Sequence, residues 1–254
     1  MAALKPSKSS RPDASPELNS APLWRRRGRG SIVQHAQQTS DFICRAFACT
    51  VEVAEQVLAR ARLASFAGQA VIVRQGDRLS LAYLLMVGQA RAFLCTAEGQ
   101  MVLLHEFAPG DFFGSLGELG GERQDADVVA IGPLEALQFE GAQLALLAQQ
   151  HGCIGLALSR LLIRRLRATT ARMYERSALS AVGRVYSELL RLARQGSGMA
   201  IRPAPVLSEL ALRMSTTRET ASRAVSGLER RGIVRRDADA LVIVAPHRLE
   251  EMIL

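Results

Sequence analysis

Arg218, Glu219, Ser222 and Arg223 fall within six consecutive positions, directly after the polar run Ser215-Thr216-Thr217. These side chains suit the edges of base pairs. Arginine matches O6 and N7 of guanine with two donors, and a glutamate accepts from N4 of cytosine. The segment from Leu207 to Gly232 reads as a short helix, a polar turn at Ser215-Thr216-Thr217, and a second helix that Val225 and Leu228 pack inward. Such a helix-turn-helix presents the N-terminal end of its second helix to the major groove. The candidate DNA contacts are therefore Thr216, Thr217, Arg218, Glu219, Ser222 and Arg223. Two plainer roles stay open. Thr216-x-x-Glu219 is a capping-box pattern, which would occupy Glu219 at the helix terminus, and Arg218 suits a phosphate as well as a base. Beyond Gly232, Ile233–Arg236 and Leu241–Ala245 flank Asp237-Ala238-Asp239, the pattern of a hairpin wing.

Other chemistry is scarce. Cys44, Cys49, Cys95 and Cys153 are too few for a disulfide scaffold in 254 residues. His35, His105, His151 and His247 lack ligand spacing, so no metal site is expected. There is no nucleophile–base set and no phosphate-loop motif, which argues against an enzyme.

The elements that must carry the reading helix show in composition and period. The chain is 48% hydrophobic and 22% charged, an ordinary globular balance. Its charge is unevenly placed. Residues 1–40 carry net +5, residues 41–150 net −6 and residues 151–254 net +9, so the C-terminal part suits a polyanion. The apolar run from Leu79 to Val87 is far shorter than a membrane span, and no apolar segment precedes Trp24-Arg25-Arg26-Arg27, so neither membrane nor secretion is expected and the cytoplasm is. Residues 1–41 have Pro, Ser and Arg without apolar period and read as a basic arm without structure. Thr50–Leu63 suits a short helix. Short apolar stretches then alternate with Gly-centred turns at about ten-residue spacing, the signature of an antiparallel sandwich or barrel, ending in a strand pair from Asp127 to Phe139 turned at Gly132-Pro133. From 141 to 177 the period is helical. Leu158, Leu162, Leu166, Thr169 and Met173 make one narrow stripe, as in a two-helix seam.

Taken with Arg74-Gln75-Gly76-Asp77, Pro109-Gly110-Asp111-Phe112-Phe113-Gly114, Arg164-Arg165-Leu166 and Thr217-Arg218-Glu219-Thr220-Ala221-Ser222-Arg223, the sequence resembles the cyclic-AMP-receptor and fumarate-nitrate-regulator (Crp/Fnr) superfamily of bacterial transcription factors from about residue 47 onward. The resemblance implies an α+β fold. Its parts would be an arm (1–41), a cyclic-nucleotide-binding-type β-roll sensor domain (42–140), a long dimerisation helix (141–177) and a C-terminal winged helix-turn-helix (178–254). It also implies a homodimer seamed by Leu158, Leu162, Leu166 and Met173 on palindromic double-stranded DNA, with RNA polymerase a further partner if the protein activates. The reading helix blends two types: Arg218-Glu219 with Arg223 matches the type that reads a TGTGA-like half-site, and Glu219 with Ser222-Arg223 the type that reads a TTGAT-like one. Where the family has a turn glycine, this chain has Ser215.

By the same resemblance, the effector pocket comprises Gly114, Ser115, Leu116, Gly117, Arg123, Gln124, Asp125, Thr169 and Thr170. The family's ribose-binding Glu corresponds to Ser115, and its phosphate-binding Arg and adjacent Ser or Ala to Gln124 and Asp125, with Arg123 one position early. A carboxylate at Asp125 repels a phosphodiester. Thr169 and Thr170 match the positions that contact adenine from both subunits. Cyclic AMP is therefore not expected as the effector. Another small molecule, or none, stays open, and no cofactor is assigned. The alternatives are a cyclic-AMP-responsive regulator and a sensor module with a degenerate DNA-binding head. The family's iron–sulfur members carry several closely spaced N-terminal cysteines. Cys44-x4-Cys49 offers two, so packing is the expectation for the thiols.

Overall fold

The computed structural model describes residues 29–78, 80–95, 101–115 and 123–253. The chain divides into a unit ending at Thr39 and a second running from Ser40. Helix α1 (Arg29–Phe47) spans that division and corrects the expectation of an arm without structure up to residue 41; residues 1–28 lie outside the described residues. Ile43 and Phe47, one turn apart, are 0% and 1% exposed, so packing fixes the last turns and the helix propagates backward from them.

Helix α2 (Val51–Arg60) is shorter than the expected span to Leu63, because Ala61 is extended and Arg62–Phe66 forms strand β1. Strands β2 (Val71–Val73), β3 (Leu81–Val87), β4 (Ala90–Cys95), β5 (Met101–Phe107), β6 (Phe112–Gly114), β7 (Asp127–Ala130) and β8 (Leu134–Glu140) follow. They form two four-stranded sheets, ordered β1-β8-β3-β6 and β2-β7-β4-β5. The Asp127–Phe139 segment is therefore not a hairpin. At Gly132-Pro133 the chain crosses from one sheet to the other, because β7 pairs with β2 and β4 while β8 pairs with β1 and β3.

Strand β3 is buried on both faces, which is why it reads as a continuous apolar run. Tyr83 and Leu85 enter the core between the sheets with Phe107, Phe113 and Leu134. Ala82 and Leu84 face the other way, into a second core with Ile43, Phe47, Val57 and Phe139. Helices α3 (Gly141–Gln150) and α4 (Gly152–Ala178) close that second core through Leu144, Leu147, Ile154 and Leu161. The single helix expected over 141–177 is thus two helices, bent by 116° at His151, whose backbone is extended. A straight helix would carry Leu161 about 25 Å along its axis from Leu144 and could not lay both on one core.

Helix α5 (Ala181–Gln195) starts where Ser180 Oγ accepts from the Gly183 N–H at 3.0 Å, an N-cap. Then come β9 (Ala200–Ile201), α6 (Leu207–Arg213), α7 (Arg218–Arg230), β10 (Val234–Arg236), β11 (Leu241–Ile243) and α8 (Pro246–Glu251). The three strands form a small sheet ordered β10-β11-β9, and one core ties α5, α6, α7 and this wing together through Val185, Leu189, Leu210, Val225, Leu228 and Ile243. Among the described residues no single helix is long and apolar enough to cross a membrane.

Two glycines give a matched test of this packing. Gly88, in the β3–β4 turn, has φ +90°, and a Cβ there would stand 2.5 Å from the Pro133 carbonyl oxygen. Gly132 has ordinary φ and open space around it. In urea titrations Gly88→Ala is expected to lose about 1–3 kcal/mol of stability, and Gly132→Ala to change it by less than about 1 kcal/mol.

Candidate nucleic-acid interface and effector pocket

The turn between α6 and α7 begins with Met214 and Ser215. Ser215 takes φ +49°, and the Thr216 N–H returns to the Ala211 carbonyl at 2.9 Å. Thr217 is the N-cap of α7, its Oγ1 accepting from the Thr220 N–H at 3.2 Å. The capping box anticipated for Thr216 and Glu219 is therefore displaced by one residue. Thr216 sits half-buried in the turn, and the cap leaves Glu219 out of it. Ala221, Ala224, Val225 and Leu228 bury the inner face of α7, and the opposite face carries Arg218, Glu219 and Arg223 exposed, with Ser222 half-buried. Among the described residues none of these four side chains has a hydrogen bond or ion pair.

The surrounding arginines differ. Arg202 pairs with Asp239 at 2.8 Å, Arg235 with Asp237 at 3.0 Å and Arg236 with Glu229 at 2.9 Å. Arg191 grips the buried carboxylate of Glu188 with two donors at 2.6 Å each. Arg213, at the end of α6, reaches both Glu188 at 3.7 Å and Glu106 on β5 at 3.0 Å. Arg91 on β4 joins Glu106 at 2.9 Å and Glu209 at 3.6 Å, so ion pairs link the helix-turn-helix to the β4–β5 strands. A cleft of about 590 Å³ lies apart from the reading helix, lined by Glu175, Arg191, Arg194 and Glu250. Its arginines are already paired, Arg191 with Glu188 and Arg194 with Glu250.

In the roll, Gly114 has φ +92°, and a Cβ there would stand 2.3 Å from the Leu81 carbonyl oxygen. Ser115 follows, 4% exposed, with its N–H on the same carbonyl at 2.8 Å. Leu116 and Gly117 lie outside the described residues. Gln124 pairs by its backbone with Gly76 and Asp77 at 2.7 and 2.9 Å, and Asp125 is exposed. Arg123, also exposed, donates to the Gly76 carbonyl at 3.3 Å, toward the β2–β3 turn. Thr169 and Thr170 are exposed on α4.

A cation that the sequence reading left unused enters from the helix side. Arg165 donates to the Phe112 carbonyl, and its guanidinium stands 5.0 Å from the centre of the Phe107 ring. Burial lowers its pKa and Asp111 opposes that shift. Next to it, burial and then the Arg165 charge hold His105 below the ordinary imidazole value. The only sequence signal was the Arg164-Arg165-Leu166 run, in which either arginine could have faced solvent.

The remaining candidates are split. Leu158 is half-buried against the sensor core, while Leu162, Leu166 and Met173 are 51%, 69% and 65% exposed. Cys44, Cys49 and Cys153 are free thiols partly packed into that same core. Burial, then the neighbouring Cys44 and Cys153, push the Cys49 thiol up to about 11, so it stays protonated near neutral pH.

Comparison with known proteins matches this geometry. The cyclic nucleotide-binding domain model covers residues 63–151, and the Crp-like helix-turn-helix domain model covers residues 183–252. The Cyclic AMP receptor protein of Thermus thermophilus is 32% identical over 181 residues, spanning 71% of this chain and 83% of that one. The cAMP-activated global transcriptional regulator CRP of Salmonella typhimurium is 24% identical over 194 residues, 74% of this chain and 92% of that one. Among solved structures, a CooA mutant from Carboxydothermus hydrogenoformans shares the fold with a TM-score of 0.67 at 19% identity, over 78% of this chain and 90% of that one. Roll, long helix, winged helix-turn-helix and sequence likeness converge, and the chain belongs to the Crp/Fnr family of transcription regulators, DNA-binding proteins rather than enzymes.

Proposed function

We propose that the protein is a homodimer that reads a palindromic operator with Arg218, Glu219 and Arg223, and that its sensor pocket does not take cyclic AMP. The observation that carries this reading is the exposed, unengaged state of those three side chains on the first turns of a capped helix, inside a frame of paired arginines. The helix N-terminus and the cations both favour approach to a polyanion. Thr217 at the cap and Ser222 behind Arg218 add neutral donors for phosphate or base.

The dimer rests on the stripe of Leu162, Leu166 and Met173, which stays open along α4 after Leu161 has turned inward. A second copy with the same stripe would cover it by a two-fold, isologous contact, and that symmetry calls for an inverted repeat in the DNA. Contact with RNA polymerase belongs to an activating role, and the cytoplasm follows from having DNA as a partner.

The pocket reading rests on charge. Gln124 and Asp125 offer no cation, Arg123 is engaged with Gly76, and Arg165 with Phe112 and Phe107. The relatives named for cyclic AMP favour the opposite reading, that of a cyclic-AMP-responsive regulator.

A palindromic duplex with TGTGA-like or TTGAT-like arms is expected to bind far tighter than scrambled DNA in fluorescence anisotropy. Arg223→Ala is expected to cost about 1–3 kcal/mol and to relax preference at one base position, whereas equal weakening on every sequence means phosphate contact alone. Leu162→Asp would bury an unpaired carboxylate in the seam. Light scattering is expected to find it monomeric, and a mutant that stays dimeric places the seam elsewhere. In calorimetry, cyclic AMP is expected to bind ten- to a hundredfold more weakly than a pocket with a charge-assisted phosphate contact would allow, a loss of roughly 1.5–3 kcal/mol. Micromolar binding that disappears in Arg123→Ala contradicts this.

A further inference from the structure

Ser215 stands where the backbone asks for glycine. Its φ of +49° is left-handed, a region that glycine enters freely and a side chain enters under strain. Its hydroxyl, which glycine would lack, is engaged: Arg176 donates to Ser215 Oγ at 2.5 Å. Arg176 lies in the last turn of α4, the helix that carries the open apolar stripe, and Ser215 lies three residues before the first residue of α7. The contact spans the junction of α4 and α5, where Leu179 and Ser180 are both extended.

A second arginine braces the same turn from the other side of that junction. Arg184 on α5 donates to the Met214 carbonyl at 3.0 Å, to the Leu179 carbonyl at 3.1 Å and to the Ser215 carbonyl at 3.5 Å. The first and last of these acceptors lie beyond the last turn of α6, where carbonyls lack helical partners. Arg213 ties the end of α6 to Glu106 of the protein's own roll, so it fixes the helix-turn-helix against the sensor strands. Arg184 touches α4 only at the carbonyl of its C-cap, Leu179, whereas the Arg176–Ser215 bond joins the turn to a side chain inside the last turn of the stripe-bearing helix.

We propose that Ser215 is a positioning residue: held by Arg176, its hydroxyl locks the entry of the reading helix to α4 and so sets the half-site spacing that the dimer accepts. This rests on the homodimer reading above. In a dimer seamed along α4, the two copies of that helix form the fixed frame, and the two reading helices are placed relative to it. With the bond intact, each reading helix keeps one angle to the frame. Without it, the turn is still closed by Thr216 and capped by Thr217, so a half-site remains readable. Arg184 and the ion pairs of Arg213 and Arg91 still tether the head, but with one tie to α4 gone the distance between the two readers varies over a wider range. Glycine at 215 would suit the backbone better and lose that coupling.

The test uses the full chain and a set of palindromes with TGTGA-like or TTGAT-like arms whose spacer is lengthened or shortened by one base pair, together with a duplex holding a single half-site. Wild type is expected to reject the altered spacers by about tenfold or more, and Ser215→Ala, Ser215→Gly and Arg176→Gln to reject them by about threefold or less, with half-site affinity within about twofold of wild type. Arg176→Lys, which keeps a cationic donor, is expected to recover part of the discrimination. The Ser215→Ala/Arg176→Gln double variant is expected to be no worse than either single change, because both remove one bond. Ser215→Gly relieves the left-handed strain, so its Tm is expected to equal or exceed that of wild type while its spacing discrimination falls, a combination that a purely structural role does not produce. Variants that keep the wild-type discrimination, or that weaken the half-site and every palindrome equally, overturn the proposal. A wild type that binds palindromes no better than a half-site, and is monomeric by light scattering, overturns the dimer reading and this inference with it.

Discussion

Around the helix-turn-helix several arginines answer to carboxylates, and at the exposed start of α7 charge is left over. Arg202, Arg235 and Arg236 are neutralised by Asp239, Asp237 and Glu229, and Arg191 is held by Glu188. Arg218, Glu219 and Arg223 are spared that pairing while their helix is anchored underneath by Ala221, Ala224, Val225 and Leu228. Polar contacts also fix the start of the helix, through the Thr217 cap and the clasped turn before it. Recognition of a base edge needs both conditions together. A paired arginine has its charge and part of its donor set committed to a carboxylate, and an unanchored one has no fixed direction.

The N-terminal roll follows from one strand buried on both sides. Because β3 sends Tyr83 and Leu85 toward the facing sheet and Ala82 and Leu84 toward the helices, both cores are built on it. Helix α4 leaves the helical core at Leu161 and turns its open stripe outward, while Arg165, one turn on, reaches back to Phe112 and Phe107. The same helix therefore touches the roll, carries the stripe and ends at Arg176 on the reading head. Arg213, Arg91, Glu106 and Glu209 make a second route from the β4–β5 strands to α6. Contacts therefore run from the roll to the helix-turn-helix by two routes, one along α4 to Arg176 and Ser215 and one through these ion pairs.

The helix-turn-helix was legible because its pattern is local: two helices and a polar turn fit in one stretch of sequence, and the core positions Val225 and Leu228 repeat at helical spacing, while the cap fell one residue later than expected. The departures arose where long-range pairing decides. A Gly-Pro turn between two apolar runs looks like a hairpin, and only the partners of β7 and β8 show that it is a crossing between sheets. The bend at His151 has no proline to announce it. It exists because Leu144 and Leu161 must reach the same core. Up to residue 41 helix α1 offers Ile32, Val33 and Ala36 as its apolar positions, too few to show a period before Phe42, Ile43 and Phe47 join them, and Arg165 looked like any other off-stripe cation until Phe107 and Phe112 were placed beneath it. Ser215 was visible as a missing glycine, but its partner Arg176 lies 39 residues away, a pairing that no periodicity reveals.

Two copies of one reading helix related by a two-fold axis call for an inverted repeat in the DNA, and selection of full-length protein on random double-stranded DNA reads that requirement out. The enriched sequences are expected to contain one short element twice, in opposite orientation, with centres about one helical turn or roughly 34 Å apart. Enrichment of a single unrepeated element, or no enrichment over the starting pool, would mean that the reading helices do not act as a symmetric pair.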